Sequence, residues 1–215
     1  MKKTGKRSHA ENGSPVPREL VSAKKTADIV SVPHRRCLAI DGVGSPQDPK
    51  FEASAAALYG LSYALKFARK KTGKGDFKVG PLEGHWSAVP SWRGTGKPPP
   101  EAWHWRLRIG VPAEVTWDDV ERIKREVVAK KGGKLQGSAV VPHVFLETIP
   151  NQRLGRVLHV GPYADEGTSF ALISAALDRA GLTPAPTHIE VYRTDPRRTR
   201  PAALETVLLR ELAAH

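Results

Sequence analysis

Apolar positions recur along the chain at two different spacings, and the alternation between them predicts a string of strands and helices. Arg36 to Asp41 is a short apolar run closed by Gly42 and Gly44, which reads as a buried strand and a turn. Asp48 or Pro49 opens a long helix to about Lys71, with Pro49 suited to the first helical position and Phe51, Ala55, Leu58, Ser62 and Leu65 at helical spacing. Val79 to Val89 reads as a strand, Ser91 to Pro100 as a Gly/Pro-rich surface loop, and Trp103 to Val111 alternates as a strand. Asp118 to Lys131 is an amphipathic helix with Thr116 as its cap. Val144 to Ile149 and Leu154 to Val160 read as a hairpin. Asp165 to Gly181 is a helix with Phe170, Ile173, Ala176 and Leu177 on one face, His188 to Arg193 is a strand, and the β-branched Thr206 and Val207 favour a final strand over Leu204 to Leu212.

The elements repeat. Cys37 to Gly44, a helix and Val79 to Trp86 form one unit; Arg156 to Tyr163, a helix and Thr187 to Arg193 form another, and each is followed by one more strand. The expected fold class is α+β: duplicated strand–helix–strand–strand units around a pseudo-twofold axis, repeat one at about 28–115 and repeat two at about 140–215, with a central ligand groove between them. The same alignment pairs Glu83 with Glu190 and His85 with Tyr192.

Composition narrows the setting. The chain has 215 residues and 40% hydrophobic content, enough for one sizeable core. No apolar stretch approaches the roughly 18 residues that span a bilayer, and the charged N-terminus has no apolar run of the secretory kind. A lone Cys37 excludes an intramolecular disulfide and fits a reducing, cytoplasmic location; Cys37 itself reads as a small core residue. Residues 1–27 are basic, lack apolar periodicity and read as a disordered tail. The net charge of +12 is otherwise spread over the body without aromatics interleaved among the basic residues, which disfavours a nucleic-acid surface.

A carboxylate within a strand is costly unless it is exposed, paired or functional. In His188 to Tyr192, Ile189 and Val191 point one way and His188, Glu190 and Tyr192 the other. Glu83 and His85 share a face in the same manner, and the repeat sets both acids near one axis; the alternative is a solvated sheet face. Tyr59 and Tyr63, four apart on the long helix, lie beside its apolar stripe, either as rim packing or as an aromatic wall for a flat or cationic ligand. Trp86, Trp103 and Trp105 fall on adjacent strands, either as bulky core residues or as an extension of that wall. Gly42-Val-Gly44 lacks the third glycine of a dinucleotide loop, Gly94 to Lys97 lacks the phosphate-loop spacing, and the eight histidines show no metal-ligand spacing, so neither cofactor nor metal is expected.

Several motifs resemble a known family. His159-Val-Gly-Pro-Tyr-Ala-Asp-Glu166, His188-Ile-Glu-Val-Tyr192, Thr194-Asp-Pro-Arg-Arg198 and Leu204 to Arg210 resemble the C-terminal half of GyrI-like small-molecule-binding proteins. Leu58 to Lys66 and Pro81-Leu-Glu-Gly-His-Trp86 resemble the N-terminal half of their standalone subgroup, the whole likeness covering about residues 30–212. The resemblance implies a central groove with aromatic walls and a buried glutamate at Glu190. It further implies either hydrolysis of cyclopropane-bearing, DNA-alkylating natural products, with Glu190 and tyrosines assisting water, or non-catalytic capture of aromatic or cationic drugs. His85 departs from the subgroup, which has an apolar residue there. The candidate set is Glu190, Tyr59 and Tyr63 for catalysis, and Glu83, His85, Trp86, Trp103, Trp105, Tyr163, His188 and Tyr192 for ligand contact.

Overall fold

A computed structural model describes residues 13–93, 98–131 and 137–213. Its helices are α1 (Arg18–Val21), α2 (Pro49–Lys71), α3 (Trp117–Lys131) and α4 (Glu166–Arg179). Its strands are β1 (Asp28–Val32), β2 (Arg35–Val43), β3 (Glu83–Ala88), β4 (Trp103–Val111), β5 (Phe145–Ile149), β6 (Gln152–Val160), β7 (Pro184–Tyr192) and β8 (Glu205–Leu212). The α+β class and the duplication hold. The eight strands form one curled antiparallel sheet in the order β1-β6-β8-β7-β3-β4-β2-β5. Repeat one (β2-α2-β3-β4) and repeat two (β6-α4-β7-β8) have the same internal order and meet where β3 pairs with β7. The closing segment is a strand as expected, and Thr116 caps α3, its hydroxyl accepting from the Asp119 N–H at 3.2 Å.

The expected hairpin at 144–160 is not formed. β5 pairs with β2 and β6 pairs with β1 and β8, at opposite ends of the sheet order. The two-residue link Pro150–Asn151 joins strands from opposite edges, as Pro33–His34 does between β1 and β2. Links this short hold strand ends from the two halves of the curled sheet close together, and the His34 N–H donates to Asn151 Oδ1 at 2.7 Å between the two links. The Pro-Asn link also lacks the Asn-Gly or Gly-first chemistry of a tight hairpin.

Residues directly opposite in an antiparallel ladder point to the same side. One row therefore runs Ile40–Leu107–Gly84–Glu190–Leu208–Val157 and the next runs Gly42–Trp105–Trp86–His188–Arg210–Gly155, both on one face. α2 packs on the repeat-one side of this face through Leu58, Leu61 and Leu65, and α4 on the repeat-two side through Ile173 and Leu177. α4 comes so close to β6 that a Cβ at Gly155 would lie 2.5 Å from Ile173 Cγ2.

The other face is structural. Val32, Leu154, Ile189, Val191, Val207 and Leu209 form an apolar cluster on it, and Val16 and Leu20 of the N-terminal segment pack into that cluster. Residues 13–27 are thus not the expected tail; residues 1–12 lie outside the described residues. Leu20 is fully buried, and a Cβ at Gly80 would lie 2.4 Å from Val16 Cγ2. Arg156 fastens the segment by donating to the carbonyls of Glu19 (2.7 Å) and Ser22 (2.6 Å). A single short helix carries too little periodicity for this docking to show in the pattern.

Beside this plug lies a chain of charges. Arg35 and Glu83, each with a side chain at most 2% exposed, pair at 3.0 Å. Arg35 also donates to Gln152 (3.0 Å), Gln152 donates to Glu211 (3.0 Å), and Glu211 binds His85 (2.9 Å) and Thr187 (2.5 Å). His85 and its polar partners hold the Glu211 carboxyl down to about 2. Cys37 is buried next to this network, and burial pushes its thiol up.

Three outcomes follow from this architecture. Leu20→Ala should cost about 2–5 kcal/mol in urea unfolding, because it empties a closed site in the back-face cluster. Glu83→Ala should cost about 3–5 kcal/mol, since it strands the buried Arg35 charge, while leaving ligand binding per folded molecule unchanged. Glu211 has a folded value below its ordinary 4.5, so its stabilisation is complete above about 4.5 and is lost as pH falls towards 2. Melting temperature against pH should be flatter across that window in Glu211→Gln than in the parent chain.

Candidate functional site

Because α2 covers the outer strands of repeat one and α4 those of repeat two, the central strands β3 and β7 form the floor of a groove between the helices. Glu190 stands on this floor with its side chain 12% exposed. Its cross-strand neighbour is Gly84, which contributes no side chain. Tyr192 donates to Glu190 Oε2 at 2.7 Å, His188 Nε2 lies 3.1 Å from Oε1, and the Trp86 indole donates to the Tyr192 hydroxyl at 3.2 Å. Alternation along β7 produces this cluster, since His188, Glu190 and Tyr192 share a face while Ile189 and Val191 fill the core behind.

Aromatic rings from both repeats surround the carboxylate. Phe51 stacks on Trp86 with ring centres 5.8 Å apart, and Trp103 meets Trp86 edge-on at 5.9 Å. From repeat two, Tyr163 meets Tyr192 edge-on at 6.0 Å and Phe170 meets His188 at 4.9 Å. Tyr59 reaches in from α2, and its hydroxyl accepts the Leu82 N–H at 3.2 Å. Burial, and then the neighbouring Glu190, pushes the Tyr163 hydroxyl up to about 12; the same two causes push Tyr192 well up, and burial raises Tyr59. All three phenols therefore carry their protons at neutral pH and act as hydrogen-bond donors or apolar walls.

The structure brings together Glu190, His188, Tyr192, Trp86, Trp103 and Tyr163, while the Tyr59 hydroxyl is held by the Leu82 N–H just before β3. It does not bring Glu83 or His85 to them. The register pairs Glu83 with Val191 and His85 with Ile189, on the opposite face, where both are held in the charge chain. The repeat alignment that matched Glu83 to Glu190 is off by an odd number of residues, and in a strand an odd shift exchanges the faces. Trp105 is fully buried against Gly42, where a Cβ would lie 2.1 Å from its ring, so it packs the core and meets no ligand. Tyr63 is 46% exposed on α2, its ring against Phe67 at 6.4 Å, and no described hydrogen bond ties it to the Glu190 group. Sequence reasoning missed Phe51, Phe170 and Gly84. The first two sat within the helical stripes, and only their places near the starts of α2 and α4 hinted that they turn toward the central strands. Gly84, an isolated glycine inside a strand pattern, was a readable sign of close side-chain approach.

Among the described residues no group of three His, Cys, Asp or Glu side chains is placed to hold a metal ion, and no helix is long and apolar enough to cross a membrane. No family model and no curated protein matches the sequence. The fold has solved counterparts. An uncharacterized conserved protein from Listeria innocua superposes with a TM-score of 0.79 at 25% identity, over 91% of this chain and 96% of that one. A hydrolase from Listeria innocua superposes with a TM-score of 0.77 at 25% identity over the same shares. This chain is thus similar, along nearly its whole length, to proteins that include a hydrolase.

Proposed function

We propose that this protein takes a small aromatic or cationic molecule into the groove and hydrolyses a strained ring on it, a cyclopropane conjugated to an electron-accepting ring system. The observation that carries this reading is the Glu190 carboxylate, held between Tyr192 and His188 on the floor of an aromatic-walled groove. The similarity to a Listeria innocua hydrolase and the resemblance to the standalone GyrI-like proteins support it.

In the proposed reaction Glu190 takes a proton from water as the water oxygen attacks a ring carbon. A carbon–carbon bond of the cyclopropane breaks, its electron pair moves into the conjugated acceptor, and the developing negative charge there is met by a hydrogen bond and finally a proton. Tyr59 suits the donor role: its oxygen is occupied by the Leu82 N–H, which leaves its own proton to give. Tyr163 and Trp103 flank the substrate rings, and Tyr63 stands farther out on α2. A second reading is a non-catalytic binder of aromatic cations. It is favoured by the absence of any described Lys or Arg ion pair to Glu190, which leaves the carboxylate charge for a ligand.

Incubation with a cyclopropane-bearing alkylator should give the ring-opened, water-added product. Glu190→Gln should lower kcat by about 10²–10⁴-fold, the range of a positioned general base, with KM changing little. Undiminished turnover in Glu190→Gln contradicts the mechanism. Recovery of intact alkylator from the parent protein, with aromatic-cation affinity that falls in Glu190→Gln, selects the binder.

A further inference from the structure

The direction of the hydrogen bonds under the groove is set by one group that has no alternative. An indole N–H donates and never accepts. Trp86 Nε1 lies 3.2 Å from the Tyr192 oxygen, so that oxygen is the acceptor. The single phenolic proton of Tyr192 then goes to Glu190 Oε2, 2.7 Å away. While this chain is intact, Tyr192 has no proton left for a bound ligand, and Oε2 of Glu190 is held as an acceptor.

We infer that Trp86 and Tyr192 act as one positioning unit for Glu190, made possible by Gly84, and that neither is primarily a wall for the ligand. This rests on the reading of Glu190 as the working carboxylate. Trp86 is only 6% exposed: Phe51 lies against its ring face and Trp103 packs on it nearly at right angles, which leaves little indole surface for a ligand. Tyr192 is likewise met by the Tyr163 ring. The bond between the two side chains passes directly over Gly84. A Cβ there would lie 2.8 Å from Trp86 Nε1 and 2.9 Å from the Tyr192 oxygen, closer than real Cβ contacts. Any larger residue at 84 therefore pries apart the two atoms that make the bond. Glycine at the position opposite Glu190 is what lets the floor of the groove carry a directed chain from repeat one into the carboxylate of repeat two.

The unit converts packing into chemistry in a definite way. A carboxylate that swings about its last bonds presents its lone pairs in many directions. One that receives a proton-donating bond on Oε2, with an imidazole on Oε1, presents its remaining lone pairs in a fixed arc. Losing the indole frees the Tyr192 oxygen to accept from water and its proton to turn away. Glu190 stays in place but is no longer oriented. The loss then appears in the chemical step where a substrate is turned over, and in affinity where the carboxylate only pairs with a bound cation.

The test is a double-mutant cycle on the full chain with Trp86→Phe and Tyr192→Phe, which keep a ring in each place, and Glu190→Gln as the reference. With a cyclopropane-bearing alkylator as substrate, each single variant should lower kcat by about ten- to a hundredfold, with KM within about twofold. The double variant should be no slower than the slower single, because both changes cut the same chain. Gly84→Ala should reproduce Trp86→Phe. If the alkylator is not turned over, the same cycle is read in ethidium affinity, where equal and non-multiplying losses support the unit. The inference is overturned if Trp86→Phe raises KM with kcat unchanged, as a ligand wall would, or if the two losses multiply in whichever readout applies. Those outcomes with Glu190→Gln impaired in that readout defeat the positioning unit alone; Glu190→Gln at full strength defeats the reading of the site and the unit with it.

Discussion

The arrangement depends on an acid that is nearly enclosed and yet has a polar partner on each of its oxygens. Moving an ionised group out of water is expensive unless its lone pairs are met. Glu190 meets that condition with Tyr192 on one oxygen and His188 on the other, both supplied by its own strand two residues away on either side. Strand alternation alone brings the three to one face. The groove then exists because each helix covers the outer strands of its own repeat and leaves the two central strands open between them. A duplicated unit thereby makes a cleft at its own seam, lined by rings from both halves and holding one acid with no described Lys or Arg partner.

The two faces of the sheet divide the labour. The groove face carries the aromatic rings, the phenols and Glu190. The opposite face carries an apolar cluster sealed by the segment around Leu20, and a chain of ion pairs and amides running from Glu83 through Arg35 and Gln152 to Glu211 and His85. That chain links residues from both repeats behind the seam. The two short links Pro33–His34 and Pro150–Asn151 hold strand ends from the two halves close together there. The back face ties the two repeats to each other behind the cleft.

The sequence made the helices, most strands and the duplication legible, because each is written in a period that repeats over many residues. Glu190 was legible for the same reason: Ile189 and Val191 mark the buried side of its strand. Glu83 misled, because its motif invites alignment with Glu190 while its register sets it one residue out of phase. Such a phase is decided by the pairing of β3 with β7, which leaves no mark on either strand alone. The pairing of β5 and β6 with distant strands was hidden in the same way, since two adjacent strands with a short link look like a hairpin wherever they go. Leu20 and Val16 sit in a polar, basic stretch, and the seating of Val16 depends on Gly80 and Gly110 leaving room across the sheet. His85 departs from the resembling family, and its place against Glu211 explains the difference without reference to any ligand.

The central claim is that the seam between the repeats is where a small molecule is received, with Glu190 facing it. A crystal structure of the protein soaked with ethidium tests this most directly. A planar ligand is expected between the starts of α2 and α4, in contact with Glu190 and bordered by Tyr59, Tyr163 and Trp103. Ligand bound only on the opposite face, or a filled and closed seam with Glu190 untouched, would contradict it.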